Sequence, residues 1–113
     1  MNSRRKGAAG ERELANILRQ YGYEDSRRGQ QYCGSNGDAD VTGLPGIHIE
    51  CKRVERLNLY DAVHQSQNDC KDSNEMPVVF HRKNKHPWLV TMTMDDWMRM
   101  YKASEEILPG KGR

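Results

Sequence analysis

Large aliphatic side chains are scarce in this sequence. Leu, Ile, Val and Phe together number 18 of 113 residues, about 16%, and there is one Phe. Below about 20% such a composition often marks disorder, but disorder also calls for a large net charge. Here 18 basic residues meet 16 acidic ones, and the net is +2. Six Met, five Tyr and two Trp add apolar mass. A folded chain with a lean core follows, one domain spanning 1–113, for which self-association is a useful source of stability. No stretch approaches 18 apolar residues, which excludes a membrane-spanning helix. Arg4, Arg5 and Lys6 are followed by no apolar run, so the start does not read as a signal peptide, and a cytoplasmic location is expected. Cys33, Cys51 and Cys70 cannot all pair, no CxxC occurs, and they read as reduced thiols. His81 and His86 near Cys70 are too thin a set for zinc.

What is plentiful is charge, and it is clustered. Arg4-Arg5-Lys6, Arg27-Arg28, Lys52-Arg53 with Arg56, and Arg82-Lys83 with Lys85 form basic groups of the kind that meets a phosphate backbone. By charge alone they serve equally well as solvated surface balanced by the acids.

The pattern predicts a flexible basic arm over 1–6 and a helix from Ala8 to Gln20. Leu14, Ile17, Leu18 and Tyr21 form its apolar stripe, and Gly22 stops it. Tyr23–Arg28 reads as an edge strand, and GQQYCGSNG (29–37) as a Gly-rich loop. Ala39–Thr42 and Ile47–Arg53 read as a hairpin. In the second strand Ile47, Ile49 and Cys51 face one way, and His48, Glu50 and Lys52 the other. Asn58 caps a helix from Leu59 to about Lys71. Pro77–His81 and Trp88–Met92 are strands. Thr93 with Asp96 resembles a capping box opening a last helix that runs to about Ser104 and buries Trp97 and Tyr101. The end, about 108–113, reads as frayed. The expected fold is α/β, a mixed sheet of about five strands flanked by helices in the order αβββαββα.

The chemistry concentrates in Asp38–Lys52. Glu50 and Lys52 share a strand face, and Asp40 on the partner strand brings a second carboxylate beside Glu50. Neighbouring carboxylates repel unless a cation sits between them. Oxygen ligands favour Mg²⁺, with Mn²⁺ as substitute, and the Cys51 backbone carbonyl is a natural extra ligand. Lys52 keeps a positive charge beside the phosphate such a cation would bind. A third carboxylate can come from the first helix, where Glu11 and Glu13 both flank the buried stripe and geometry barely separates them.

Asp40, nine residues, then Glu50-Cys51-Lys52 resembles the D…ExK core of the PD-(D/E)xK nuclease superfamily, and with it a restriction-endonuclease-like fold. KGAAGEREL (6–14) is similar to the opening of archaeal-type Holliday junction resolvases, in which a Gly precedes a helix carrying a catalytic Glu followed by Arg. Gly34-Ser35 resembles their mobile serine-bearing loop, and Gln65 falls where they carry a helix glutamine. The likeness runs from about Lys6 to Gln67. It implies a homodimer that hydrolyses phosphodiesters of branched DNA with Mg²⁺, leaving a 5′-phosphate and a 3′-hydroxyl. It implies Glu11, Asp40 and Glu50 as metal ligands, Lys52 as the catalytic lysine, Ser35 near the scissile phosphate, and Gln65 as support. Ala39 stands where the family usually has Pro, Asp38 rivals Asp40, and Gln67 rivals Gln65.

Beside a nuclease motif, Arg27, Arg28, Arg53 and Arg56 are expected on DNA backbone. The Arg82–His86 hairpin suits either a groove or the protection of a sheet edge. His48 is expected on the solvent side of its strand. Tyr32 is expected to pack on its own domain rather than stack on a base. Trp97, Met98 and Tyr101 are expected in the core or in a dimer contact. A nicking or restriction-like nuclease on linear or flapped DNA, and a non-catalytic nucleic-acid-binding module, are the competing functions.

Overall fold

The structure, a computed structural model, describes residues 3–29 and 39–105, the side chains of 3–6 excepted. Three helices and five strands alternate as expected: α1 (Ser3–Gln20), β1 (Arg27–Arg28), β2 (Val41–Thr42), β3 (Ile47–Arg53), α2 (Leu59–Asp69), β4 (Met76–Arg82), β5 (Leu89–Thr91) and α3 (Met94–Ser104). The strands lie in one sheet in chain order, β1-β2-β3-β4-β5. All neighbours are antiparallel except β3 and β4, whose parallel pairing runs from Ile47↔Met76 to Arg53↔Arg82. Parallel neighbours need a crossover, and α2 supplies it.

β3 is the central strand, and both of its faces are covered. Leu14, Ala15 and Leu18 of α1 pack with Val41, Ile49 and Cys51, and Phe80 and Trp88 close the cluster. The alternation of β3 turns His48, Glu50 and Lys52 to the opposite face, which α2 covers. This corrects the expectation for His48. Its ring is fully buried, because the face that the sequence left to solvent receives a helix. Ile47–Arg53 has the predicted bounds. α1 instead starts at Ser3, ahead of Ala8, and β1 keeps only two residues of the expected Tyr23–Arg28. Tyr21 is exposed at the helix end, so the buried stripe stops at Leu18.

Local signals explain the joints. Asn58 accepts from the Asp61 N–H and Thr93 from the Asp96 N–H, so both predicted N-caps form. The reciprocal half of the capping box does not appear, and the Asp96 carboxylate pairs with Arg99 at 2.8 Å. Gly43 turns the β2–β3 hairpin at φ +114° against Ser26, where a Cβ would collide with backbone. The expected burial of Trp97 and Tyr101 is also corrected. α3 buries no residue, and these rings stack on each other at 5.2 Å on an exposed face. The lean aliphatic inventory is spent on β3 and its neighbours, and among the described residues α3 has no buried side chain.

Candidate active site

The site forms where β2 parts from β3. The last paired residues are Val41 and Ile49. One position further, Asp40 N–H still donates to the Ile49 carbonyl at 2.9 Å, while its carboxylate accepts from the Cys51 N–H at 2.8 Å. The side chain thus takes over from the backbone ladder. In a strand the N–H and C=O of one residue point to the same edge, so the Cys51 carbonyl faces this opening too. Glu50 projects on the α2 face, its Oε2 3.4 Å from Lys52 Nζ, and Lys52 donates to Gln65 Oε1 of α2 at 3.1 Å. Glu11 comes from the α1 face, buried, and accepts from Arg28 Nε at 2.9 Å. Gly10 permits this approach, since a Cβ there would run into Arg53 Cβ.

The charge of Asp40 acts on both Glu50 and Glu11. Burial raises the Glu50 pKa most, the Asp40 charge adds to it, and Lys52 opposes, so the carboxyl is pushed up to about 7. Burial likewise raises Glu11, against the Arg28 hydrogen bond and with the charge of Asp40. Asp40, just ahead of β2, is the charged neighbour common to both, with Glu50 on the α2 face of the sheet and Glu11 on the α1 face. The Cys51 thiol between them is pushed up by burial and then by Asp40, Glu11, Glu50 and Glu13. Buried carboxylates whose charges oppose one another, beside an edge-facing carbonyl, are an oxygen donor set suited to a hard divalent cation.

Residues 2–109 match the model of a family described as "Phage putative PDDEXK endonuclease". The chain belongs to this family. It is therefore a PD-(D/E)xK protein, of a nuclease family, and its five-stranded mixed sheet with three helices is consistent with a restriction-endonuclease-like core. No curated protein and no solved structure matches it.

Within the PD-(D/E)xK frame the expected residues separate into groups. Asp40, Glu50, Lys52, Gln65, Glu11 and the Cys51 carbonyl come together at the β2–β3 opening. Gln65, rather than Gln67, reaches Lys52, and Gln67 lines a groove with Tyr60 and Met94. Glu13, which the helix geometry left level with Glu11, has a different place. It binds Arg53 at 3.2 Å and Arg82 at 2.9 Å, tying α1 to the ends of β3 and β4. Arg28, Arg53 and Arg82 thus spend their charge on carboxylates of the chain itself. Arg27, Arg56, Lys83 and Lys85 are exposed. Ser35, Asp38 and Tyr32, the side chains of Arg4, Arg5 and Lys6, and the expected frayed end at 108–113 lie outside the described residues.

Sequence reasoning missed Asp69. It ends α2 three residues after buried Ser66, and its carboxylate, Glu50 and His48 bring their donor atoms within 4.8 Å of one another. The signal available was the spacing Ala62, Ser66, Asp69, one helical face. No helix among the described residues is long and apolar enough to cross a membrane.

Proposed function

We propose that this chain is a divalent-metal-dependent, structure-selective endonuclease that hydrolyses branched DNA, four-way junctions above all, as a homodimer. The observation that carries the catalytic part is the convergence of Asp40, Glu50 and Lys52 at the opening of β2 from β3, with Glu11 beside them. A non-catalytic binding module has no use for buried carboxylates facing phosphate.

Glu11, Asp40, Glu50 and the Cys51 carbonyl would hold the cation, Mg²⁺ or Mn²⁺. Bound there, it would neutralise phosphate charge and ease the ionisation of water. Lys52 holds a positive charge next to Glu50, placed for the charge that develops on the phosphate. Gln65 fixes the Lys52 ammonium by accepting from it. Arg28 holds Glu11 and limits its repulsion from Asp40. Ser35 is assigned to the scissile phosphate by the resemblance, which also implies 5′-phosphate and 3′-hydroxyl products. The exposed cations Arg27, Arg56, Lys83 and Lys85, with the Arg4–Lys6 segment, are the proposed backbone contacts, and binding should weaken steeply with salt.

The dimer is assigned to the β5–α3 side. β5 ends the sheet, and Leu89, Val90, Met94, Trp97, Met98 and Tyr101 are exposed there. A second copy covering this surface would set two sites on two strands, as paired incision requires.

The test is cleavage of matched four-way junction, flap and linear duplex with Mg²⁺, with incisions mapped. Symmetrical cuts across the branch, faster than on linear DNA, are expected. Equal rates on all three would overturn the junction assignment in favour of a nicking or restriction-like nuclease. Binding without cleavage of any of them would favour the binding module.

A further inference from the structure

We propose that His48, Glu50 and Asp69 form a second cation site, between β3 and α2, that takes Mn²⁺, Co²⁺ or Zn²⁺ in preference to Mg²⁺. His48 and Glu50 stand two apart on β3 and project to the face that α2 covers. Asp69 closes the set from the end of α2. The donor atoms of all three lie within 4.8 Å of one another. Ligands about 2.1 Å from a shared ion stand about 3.4 Å apart in a tetrahedral set, so the donors need to close by no more than about 1.4 Å, which side-chain rotation supplies.

The second observation is the state of the histidine. Its side chain is 1% exposed, yet neither ring nitrogen has a hydrogen-bond partner among the described residues. Ser66 Oγ, on the same side of α2 as Asp69, is buried without a partner as well. Buried polar atoms without partners are costly, and in native proteins they mark an ordered water or ion. The nearest charged group to Nδ1 is Glu75 Oε1 at 3.5 Å, an ion-pair distance too long for a hydrogen bond. A small approach would make Glu75 the carboxylate that orients the imidazole, and leave Nε2 to the ion. A carboxylate behind a histidine is the usual arrangement around metal-bound imidazole.

The donor set decides the metal. One imidazole nitrogen with two carboxylates suits Mn²⁺, Co²⁺ or Zn²⁺, whereas Mg²⁺ prefers oxygen throughout. Glu50 would be common to this site and to the all-oxygen set with Asp40 and Glu11. The site would bind its ion whether or not the chain cleaves DNA.

The test is pulsed electron paramagnetic resonance of the full chain titrated with Mn²⁺. Wild type should show Mn²⁺ coupled to an imidazole ¹⁴N, and His48→Asn should lose that coupling. Asp69 is only half-buried, so Asp69→Asn should keep the fold and weaken the nitrogen-coupled Mn²⁺ by about 10-fold or more. Glu75→Gln should weaken it by a similar factor. Wild type saturated with Mn²⁺ but lacking nitrogen coupling would overturn the site, and would mean that water fills the gap around His48. Coupling unchanged in His48→Asn, or affinity unchanged in Asp69→Asn, would overturn it too. Glu11→Gln separates the two readings. It should abolish cleavage and leave the nitrogen signal intact.

Discussion

Two regions of the molecule place their side chains in opposite ways. Around α1, β2 and β3, charged and polar groups are buried: Glu11, His48 and Glu50 are each less than one-tenth exposed. Around β5 and α3, large apolar groups are exposed: Met94 is 76% accessible and Trp97 50%. Neither arrangement lowers the free energy of an isolated chain. A buried carboxylate costs desolvation, and an exposed aromatic patch forgoes burial. The difference fits the proposed reading, in which a cation completes the first region and a second copy of the chain completes the other. The buried acids call for a cation, and the exposed aromatics call for another surface.

Removing the acids tests the first half of that contrast and should give the largest effect. Asp40→Asn and Glu50→Gln should each lower Mg²⁺-dependent DNA cleavage by roughly 10²–10³-fold or more. Binding to a junction should persist in a gel-shift titration, or tighten as repulsion is lost. Wild-type rates in both variants would remove the catalytic assignment.

pH offers the next sharpest probe. The Glu50 carboxyl is pushed from 4.5 to about 7 by burial and the Asp40 charge. A group raised in this way holds its proton more tightly when folded. Its contribution to stability is complete below about pH 4.5 and is lost as pH rises through about 7. For metal-free protein this amounts to about 3 kcal/mol between those limits. Urea midpoints in EDTA should therefore fall from pH 5 to pH 8, and Mg²⁺ should restore the value at pH 8. A Glu50→Gln chain should show a much flatter profile.

Gly10→Ala probes the helix that carries Glu11. In a helix Ala normally gains up to about 1 kcal/mol over Gly. Here the added Cβ meets Arg53 Cβ, next to the β3 backbone. Overpacking should win, with a net loss of about 1–2 kcal/mol and a lower melting temperature. Arg53→Ala added to Gly10→Ala does not relieve the clash, because that Cβ remains. Arg53→Gly should relieve it.

In the other region the smallest effect on stability is expected. Trp97→Ser with Tyr101→Ser should change monomer stability by no more than about 0.5 kcal/mol, as for other exposed positions. Sedimentation should show the proposed dimer weakened at least tenfold. A large loss of monomer stability would place those rings in a core of the single chain and erase the contrast between the two regions.

Much of this was legible without coordinates. The bounds of β3, the caps Asn58 and Thr93, and the order of elements follow from period and capping chemistry, which act over a few residues. Asp40, Glu50 and Lys52 were legible as a set because strand alternation fixes which side chains share a face. The Glu11–Glu13 choice was not. They flank the apolar stripe on opposite sides, with offsets from its centre that differ by only about 20°, and it took Arg28 on one side and Arg53 with Arg82 on the other to tell them apart. His48 was misread for a related reason. Alternation says which face a residue is on, but not which faces are covered.

The sequence by itself determined the local conformations, the lean core and the motif that marks the chain's family. Tertiary structure decided what each charge meets. Arg53 and Arg82 are 29 positions apart in the chain, yet both close on Glu13 because parallel pairing sets β3 and β4 in register. It also decided that α2 covers His48 and that α3 buries no residue of its own among the described residues. Burial and ion pairing depend on which distant segments arrive at a surface, and short-range sequence patterns carry no record of that arrival.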